Sequence, residues 1–205
     1  MNKQKAQSGF SLVELLISVV ISLLILGAGI AAFSTALSMR SREASKTDAV
    51  TSTQAALNVL TREIGNSGFG LTTNGIVLAD SDNKHLRFRG NIYNDDDATN
   101  AAGEDVMFYF DAASGSVVRF DRNANNGLGM TTGVVNRVSD VTFGYYDYIG
   151  NTRTGPNPAP TGDTGRVEIT LTVFLPPVVG QPSNQTTTVK SDVTLRNAPY
   201  MRGQY

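Results

Sequence analysis

Residues 9–33 read GFSLVELLISVVISLLILGAGIAAF, and from Phe10 to Phe33 they carry one ionisable side chain, Glu14. At about 1.5 Å per residue a helix of that length reaches about 36 Å, enough to cross a hydrocarbon core of about 30 Å with some tilt. The segment ahead of it, MNKQKAQSG, is polar, and Lys3 and Lys5 are its only charged side chains. By the positive-inside rule the N-terminus is then cytoplasmic, and all that follows the span lies beyond the membrane. A cleavable secretory signal is the competing reading. Its apolar stretch is normally about 7–15 residues ending in small residues, and here the only such stretch lies around Gly27 to Ala32. Glu14 is the anomaly. An acidic side chain costs on the order of 2–3 kcal/mol in the membrane and needs a partner, unless it sits at the helix end and reaches the headgroups.

Composition narrows the remaining choices. The 205 residues include 40% hydrophobic and 17% charged ones, with a formal net charge of −1, too apolar for a disordered polymer and too weakly charged for a free nucleic-acid binder. There is no cysteine and a single histidine, His85. That excludes disulfide frameworks, thiolate metal sites, cysteine nucleophiles and a His-rich zinc centre.

Gly9, Phe10, Val13, Glu14 and Leu15, behind a short basic leader and ahead of an unbroken apolar helix, resemble the processing site of class III signal peptides. Those belong to type IV pilins and to the pseudopilins of type II secretion. The resemblance implies that a prepilin peptidase cuts between Gly9 and Phe10 and that the new Phe10 amine is methylated. It implies that Glu14 pairs with the N-terminal amine of a neighbouring subunit, which offsets the charge that is costly alone in lipid. Loss of the leader would leave 15 basic residues against 18 acidic ones, a formal charge of −3.

Past residue 33 the helix continues and turns amphipathic. Residues 34–64 contain no proline or glycine, and Arg40, Arg42 and Glu43 mark the exit from lipid. Val50, Thr53, Leu57, Leu60 and Ile64 recur at spacings of three and four, one apolar stripe expected to pack on the chain's own sheet rather than on a coiled-coil partner. Gly65, Asn66, Ser67 and Gly68 then supply residues suited to a left-handed cap.

The remainder reads as antiparallel sheet. Residues 167–173 and 189–195 alternate apolar and polar, and residues 105–110 and 116–121 flank Ala-Ala-Ser-Gly as a hairpin. Residues 134–148 read as one long strand, with 76–79 and 85–89 as shorter ones. Residues 94–104, 150–165 and 176–184 read as loops, the second a mobile one with three prolines. No segment looks like a crossover helix, so the expected class is α+β, a long N-terminal helix packed on an antiparallel sheet domain. The expected organisation is a leader (1–9), a membrane-spanning helix (10–33), its amphipathic continuation (34–65) and a sheet domain (66–205). In its element order the C-terminal part resembles the W-type minor pilins (PilW-like), and also the J-type minor pseudopilins of type II secretion. Major pilins usually carry a proline in the span and a C-terminal disulfide loop. This chain has neither, which favours a minor subunit.

Chemistry-bearing residues are sparse. His85 stands in HLRFR, and no G-x-S-x-G elbow accompanies it, so it reads as a sheet-surface residue and no catalytic residue is assigned. Asp95, Asp96, Asp97, Glu104 and Asp105 form the densest acidic cluster, and Asp121, Asn123 and Asn125 are spaced like calcium ligands, with Asn126 where an EF-hand places glycine. Both read as solvated loops, with calcium as the only cofactor they suggest. Arg119, Arg122, Arg137, Arg153, Arg166, Arg196 and Arg202 are scattered without interleaved aromatics, so no nucleic-acid groove is expected. The tail NAPYMRGQY is expected to be exposed. The expected function is a minor pilin that primes or caps a type IV pilus, with prepilin peptidase, other pilins or pseudopilins, the inner-membrane assembly platform and lipid as partners. A J-type pseudopilin is the alternative, and a signal-anchored periplasmic enzyme the more distant one.

Overall fold

The computed structural model describes residues 10–93, 98–178 and 182–203. Helix α1 (Leu12–Ile64) is followed by eight strands, β1 (His85–Arg89), β2 (Asp105–Asp111), β3 (Ser116–Asp121), β4 (Met130–Val135), β5 (Val138–Ile149), β6 (Thr152–Asn157), β7 (Thr164–Phe174) and β8 (Thr186–Thr194), and by the short α2 (Pro199–Arg202). The chain divides into two compact units: among the described residues the first runs to Ala44 and takes in Val178, and the second holds the remainder from Ser45.

In the first unit every residue from 10 to 37 is exposed. By length and composition α1 is able to cross a membrane. Its hydroxyls are satisfied inside the helix, as a span requires: Ser18 donates to the Leu15 carbonyl at 2.8 Å and Ser22 to the Ser18 carbonyl at 2.7 Å.

In the second unit α1 buries Thr53, Ala56, Leu57, Leu60 and Ile64, the expected stripe, with Ala56 added and Val50 only half-buried. Thr53 fits there because its hydroxyl donates to the Ala49 carbonyl at 2.7 Å. The stripe shares one core with residues of two antiparallel sheets, ordered β1-β2-β3-β4 and β6-β5-β7-β8. Leu86, Phe88, Val106, Phe108 and Val117 face it from the first sheet, and Val141, Phe143, Tyr145, Val167, Ile169 and Leu171 from the second. Arg119 of β3 donates to the Glu63 carboxylate at 2.6 Å, tying the first sheet to the end of the helix.

The hairpin forms as expected, with Asp111 opposite Ser116 and the Asp111 carboxylate accepting from the Ala113 and Ser114 amides and the Ser114 hydroxyl. Four expectations need correction. Residues 134–148 are not one strand: Asn136 and Arg137 interrupt them, Arg137 at φ 59°, and the chain passes there from one sheet to the other. Residues 76–79 are not a strand. Only Ile76 bridges to Phe88, and Leu78–Asp80 form a 3₁₀ turn. Residues 150–165 are not a loop throughout, because β6 pairs with β5 across a two-residue turn in which Gly150 has φ 57°. Its Pro156 is tolerated because β6 is an edge strand. The tail is anchored: Ala198 is buried, Tyr200 stacks on Tyr148, and Arg202 donates to the Leu71 and Thr72 carbonyls.

Because the two ends of α1 meet different surroundings, equal truncations there carry unequal costs. Leu60→Ala in the core should destabilise the sheet domain by about 2–5 kcal/mol. Leu24→Ala, on the exposed apolar part, should leave its denaturation midpoint unchanged. Equal midpoints for the two variants in detergent would contradict the packing described.

Candidate functional site

The strongest candidate is the start of α1. Ser11 precedes the first helical residue and accepts a hydrogen bond on its hydroxyl from the Val13 amide at 3.3 Å, while the Glu14 carboxylate accepts one from the Ser11 amide at 3.1 Å. The two bonds form a reciprocal capping box, S-x-x-E, that satisfies donors the helix itself leaves open. Glu14 thus points back toward the chain end and lies within the first turn, where the helix dipole favours negative charge. Phe10, immediately before the cap, is 84% exposed. Gly9 and the leader lie outside the described residues. Ser11 was not singled out from sequence, although its spacing to Glu14 carries the capping signature.

Of the acidic residues singled out from the sequence, Glu104, Asp105 and Asp121 are buried rather than solvated. Asp105 is buried in β2 and receives a two-pronged hydrogen bond from Arg87, Nε at 2.7 Å and Nη2 at 2.6 Å, with Arg89 Nε at 2.9 Å and Asp80 also pairing Arg87. Burial works to raise the Asp105 carboxyl, but the Arg87 and Arg89 guanidiniums outweigh it and hold it below the ordinary aspartate value. Glu104 is buried as well and accepts from the Tyr93 and Ala101 amides at 3.1 and 2.9 Å. Asp121 accepts from the Gly103, Asn123 and Ala124 amides and from Arg119. The Asn123 amide nitrogen donates to the Thr99 and Ala101 carbonyls, while Asn125 and Asn126 take left-handed φ values of 54° and 56°. These carboxylate oxygens therefore fasten loops, and Arg119 is already beside Asp121. Asp95, Asp96 and Asp97 lie outside the described residues. Among the described residues no group of three or more His, Asp or Glu side chains is arranged to hold a metal ion.

A cleft of about 470 Å³ opens beside this network, lined in part by Ser81, Asp82, His85, Arg87, Met107 and Phe120. His85 is exposed at the start of β1, and its Nδ1 lies 3.0 Å from Asp82. The Ser81 hydroxyl is engaged elsewhere: it donates to the Arg87 carbonyl at 3.2 Å and accepts from the Arg87 amide at 3.0 Å. The three residue types of a hydrolytic triad are thus neighbours, with the hydroxyl bound to backbone rather than to the imidazole.

Among protein families, residues 4–30 match the prokaryotic N-terminal methylation motif. No curated protein and no solved structure matches the chain. The matched motif supports a pilin or pseudopilin, a structural subunit processed by prepilin peptidase and assembled with other pilins, and it coincides with the capped, exposed start of α1. Helix and motif together fit anchoring in the inner membrane before assembly.

The buried ion cluster gives a pH signature. Because the folded-state value of Asp105 is depressed, its stabilisation is present above the unfolded value of 3.8 and is lost as pH falls through the folded value. Acid unfolding of Asp105→Asn should accordingly be flatter below about pH 4 than that of the parent chain, and the variant should lose up to about 3 kcal/mol at neutral pH, since buried Arg87 keeps only Asp80 as its charged partner. Parallel acid-unfolding curves would refute this assignment.

Proposed function

We propose that the chain is a minor pilin of a type IV pilus, of the W type, that primes or caps assembly. In this reading prepilin peptidase removes residues 1–9 at the Gly9–Phe10 bond, the Phe10 amine is methylated, and the mature helix enters a bundle of pilin helices drawn from the inner membrane by the assembly platform. The observation that carries it is the coincidence of the methylation motif at residues 4–30 with an apolar helix exposed from residue 10 to 37 and continuous with a folded domain. Such a surface needs lipid before assembly and other helices afterwards. The site needs glycine at position 9 because the pocket beside the scissile bond accepts little more than a hydrogen.

Glu14 is assigned to subunit pairing. In the isolated chain its carboxylate is held by the Ser11 amide, a neutral donor. The ammonium of a neighbouring Phe10 is a stronger partner in a low-dielectric bundle, because a bond between two charged groups gains more there than one to a neutral donor. The capping contact therefore keeps the carboxylate satisfied and near the helix end until that exchange. A J-type pseudopilin would share leader, helix and sheet order, and the assembly that takes up the chain distinguishes the two. Recovery in surface pili supports the pilus reading, and recovery only in the type II secretion pseudopilus overturns it.

Gly9→Val should leave the precursor uncut and the chain missing from filaments, and normal processing would refute the prepilin reading. Glu14→Ala should be cut as efficiently as the parent yet be taken into filaments at a small fraction of its level. Incorporation at the parent level would refute the pairing role.

A further inference from the structure

The two sheets have four edges, and three of them are closed against further pairing. The β1 edge is covered by its own chain: Ile76 bridges to Phe88, the Val77 amide donates to the Arg87 carbonyl at 2.9 Å, and the Arg89 amide to the Gly75 carbonyl at 2.8 Å. The β6 edge carries Pro156, which lacks a donor. The β8 edge carries Lys190 and Asp192 at its middle, tied to Glu168 and Arg166 of β7. Proline, charge and a covering segment are the usual protections of an edge strand.

Strand β4, MTTGVV, has none of these. It bears no charge and no proline, residues 130–133 are exposed, and no described segment pairs with its outer side. Large apolar surface gathers at its start: Leu128 is 82% exposed and Met130 50%, and Leu128 is the most exposed large hydrophobic residue among those described after α1. An unpaired row of backbone donors and acceptors beside such residues is a template for another strand.

We infer that β4 is the docking edge for a second copy of this chain, the two β4 strands adding antiparallel about a two-fold axis. The sequence of the strand complements itself in that arrangement. With the axis through Thr132, Met130 faces Val134, Thr131 faces Gly133 and Thr132 faces Thr132 of the copy. Each apolar end then meets an apolar end, and no charge meets its like. At Gly133 the space around a side-chain position is open, so the copies approach there without hindrance. The same operation on β8 would bring Lys190 toward Lys190 of the copy, and charge disfavours it. The contact lies wholly within the sheet domain and is independent of how the N-terminus is processed.

The cysteine-free sequence makes the test direct. Thr132→Cys in the full chain, extracted in detergent and treated with copper–phenanthroline or a short bis-maleimide, should give a cross-linked homodimer, identified by its mass. Thr188→Cys on β8, likewise an exposed position, should remain at least tenfold less cross-linked. Adding Thr131→Lys to Thr132→Cys should abolish the dimer band while leaving the thermal midpoint unchanged, since Thr131 is exposed. A monomeric Thr132→Cys chain, equal cross-linking at Thr188, or a dimer that persists with Thr131→Lys would overturn the proposal. So would capture of a different protein by the Thr132→Cys variant in place of a copy.

Discussion

The second unit depends on a single helical stripe facing two sheets at once. Leu57, Leu60 and Ile64 recur every three or four residues, with Ala56 four before Leu60, so their side chains stack along one side of α1 and meet apolar residues from both sheets. Take the stripe away and both four-stranded sheets lose cover from their inner faces, which a sheet needs to be stable in water. The helix is thus the common wall of the domain, and residue Ile64 is where it must stop. Amides of Gly65, Asn66 and Ser67 close the last turn onto the Thr61, Glu63 and Ile64 carbonyls, and Gly68 at φ 75° lets the chain turn away. A side chain at Gly75 would strike the Gly68 amide and the Arg89 carbonyl, so that close crossing admits glycine alone.

Polar groups inside the domain act as fasteners. Asn74 donates to the Thr161 and Thr164 carbonyls and accepts from the Ile76 amide, holding the segment before β7 against the one after the helix. Asp147 joins Thr164 to Asn157, and buried Tyr145 donates to the Asp82 carbonyl at 2.7 Å, linking the middle of β5 to the turn before β1. Each of these buried groups has its partners, as burial demands. Of the acids that the sequence suggested for calcium, Glu104, Asp105 and Asp121 belong to the same set.

Much of this was legible in advance, and the exceptions have physical causes. The stripe on α1, the alternation in β7 and β8 and the Ala-Ala-Ser-Gly hairpin are local patterns with periods of their own, and such patterns survive without tertiary context. The break between β4 and β5 was hidden because apolar alternation runs on past Asn136 and Arg137. Strand β6 was hidden because Pro156 and Gly155 read as turn residues, and only the open edge of β5 makes a strand of them. The anchoring of the tail rests on contacts with residues 71, 72 and 148, which no local pattern announces. At the N-terminus one stretch of sequence carries two messages, and the processing motif there overshadowed the S-x-x-E spacing of the capping box.

One helix is thus exposed and apolar at its start and buried against two sheets at its end, with the proposed processing bond just ahead of the cap. Mass analysis of the N-terminal peptide from the membrane-extracted chain tests this most directly. The peptide should begin at Phe10 and carry one added methyl group on the α-amine. A chain still starting at Met1, or one cut between Gly27 and Ala32, would contradict it.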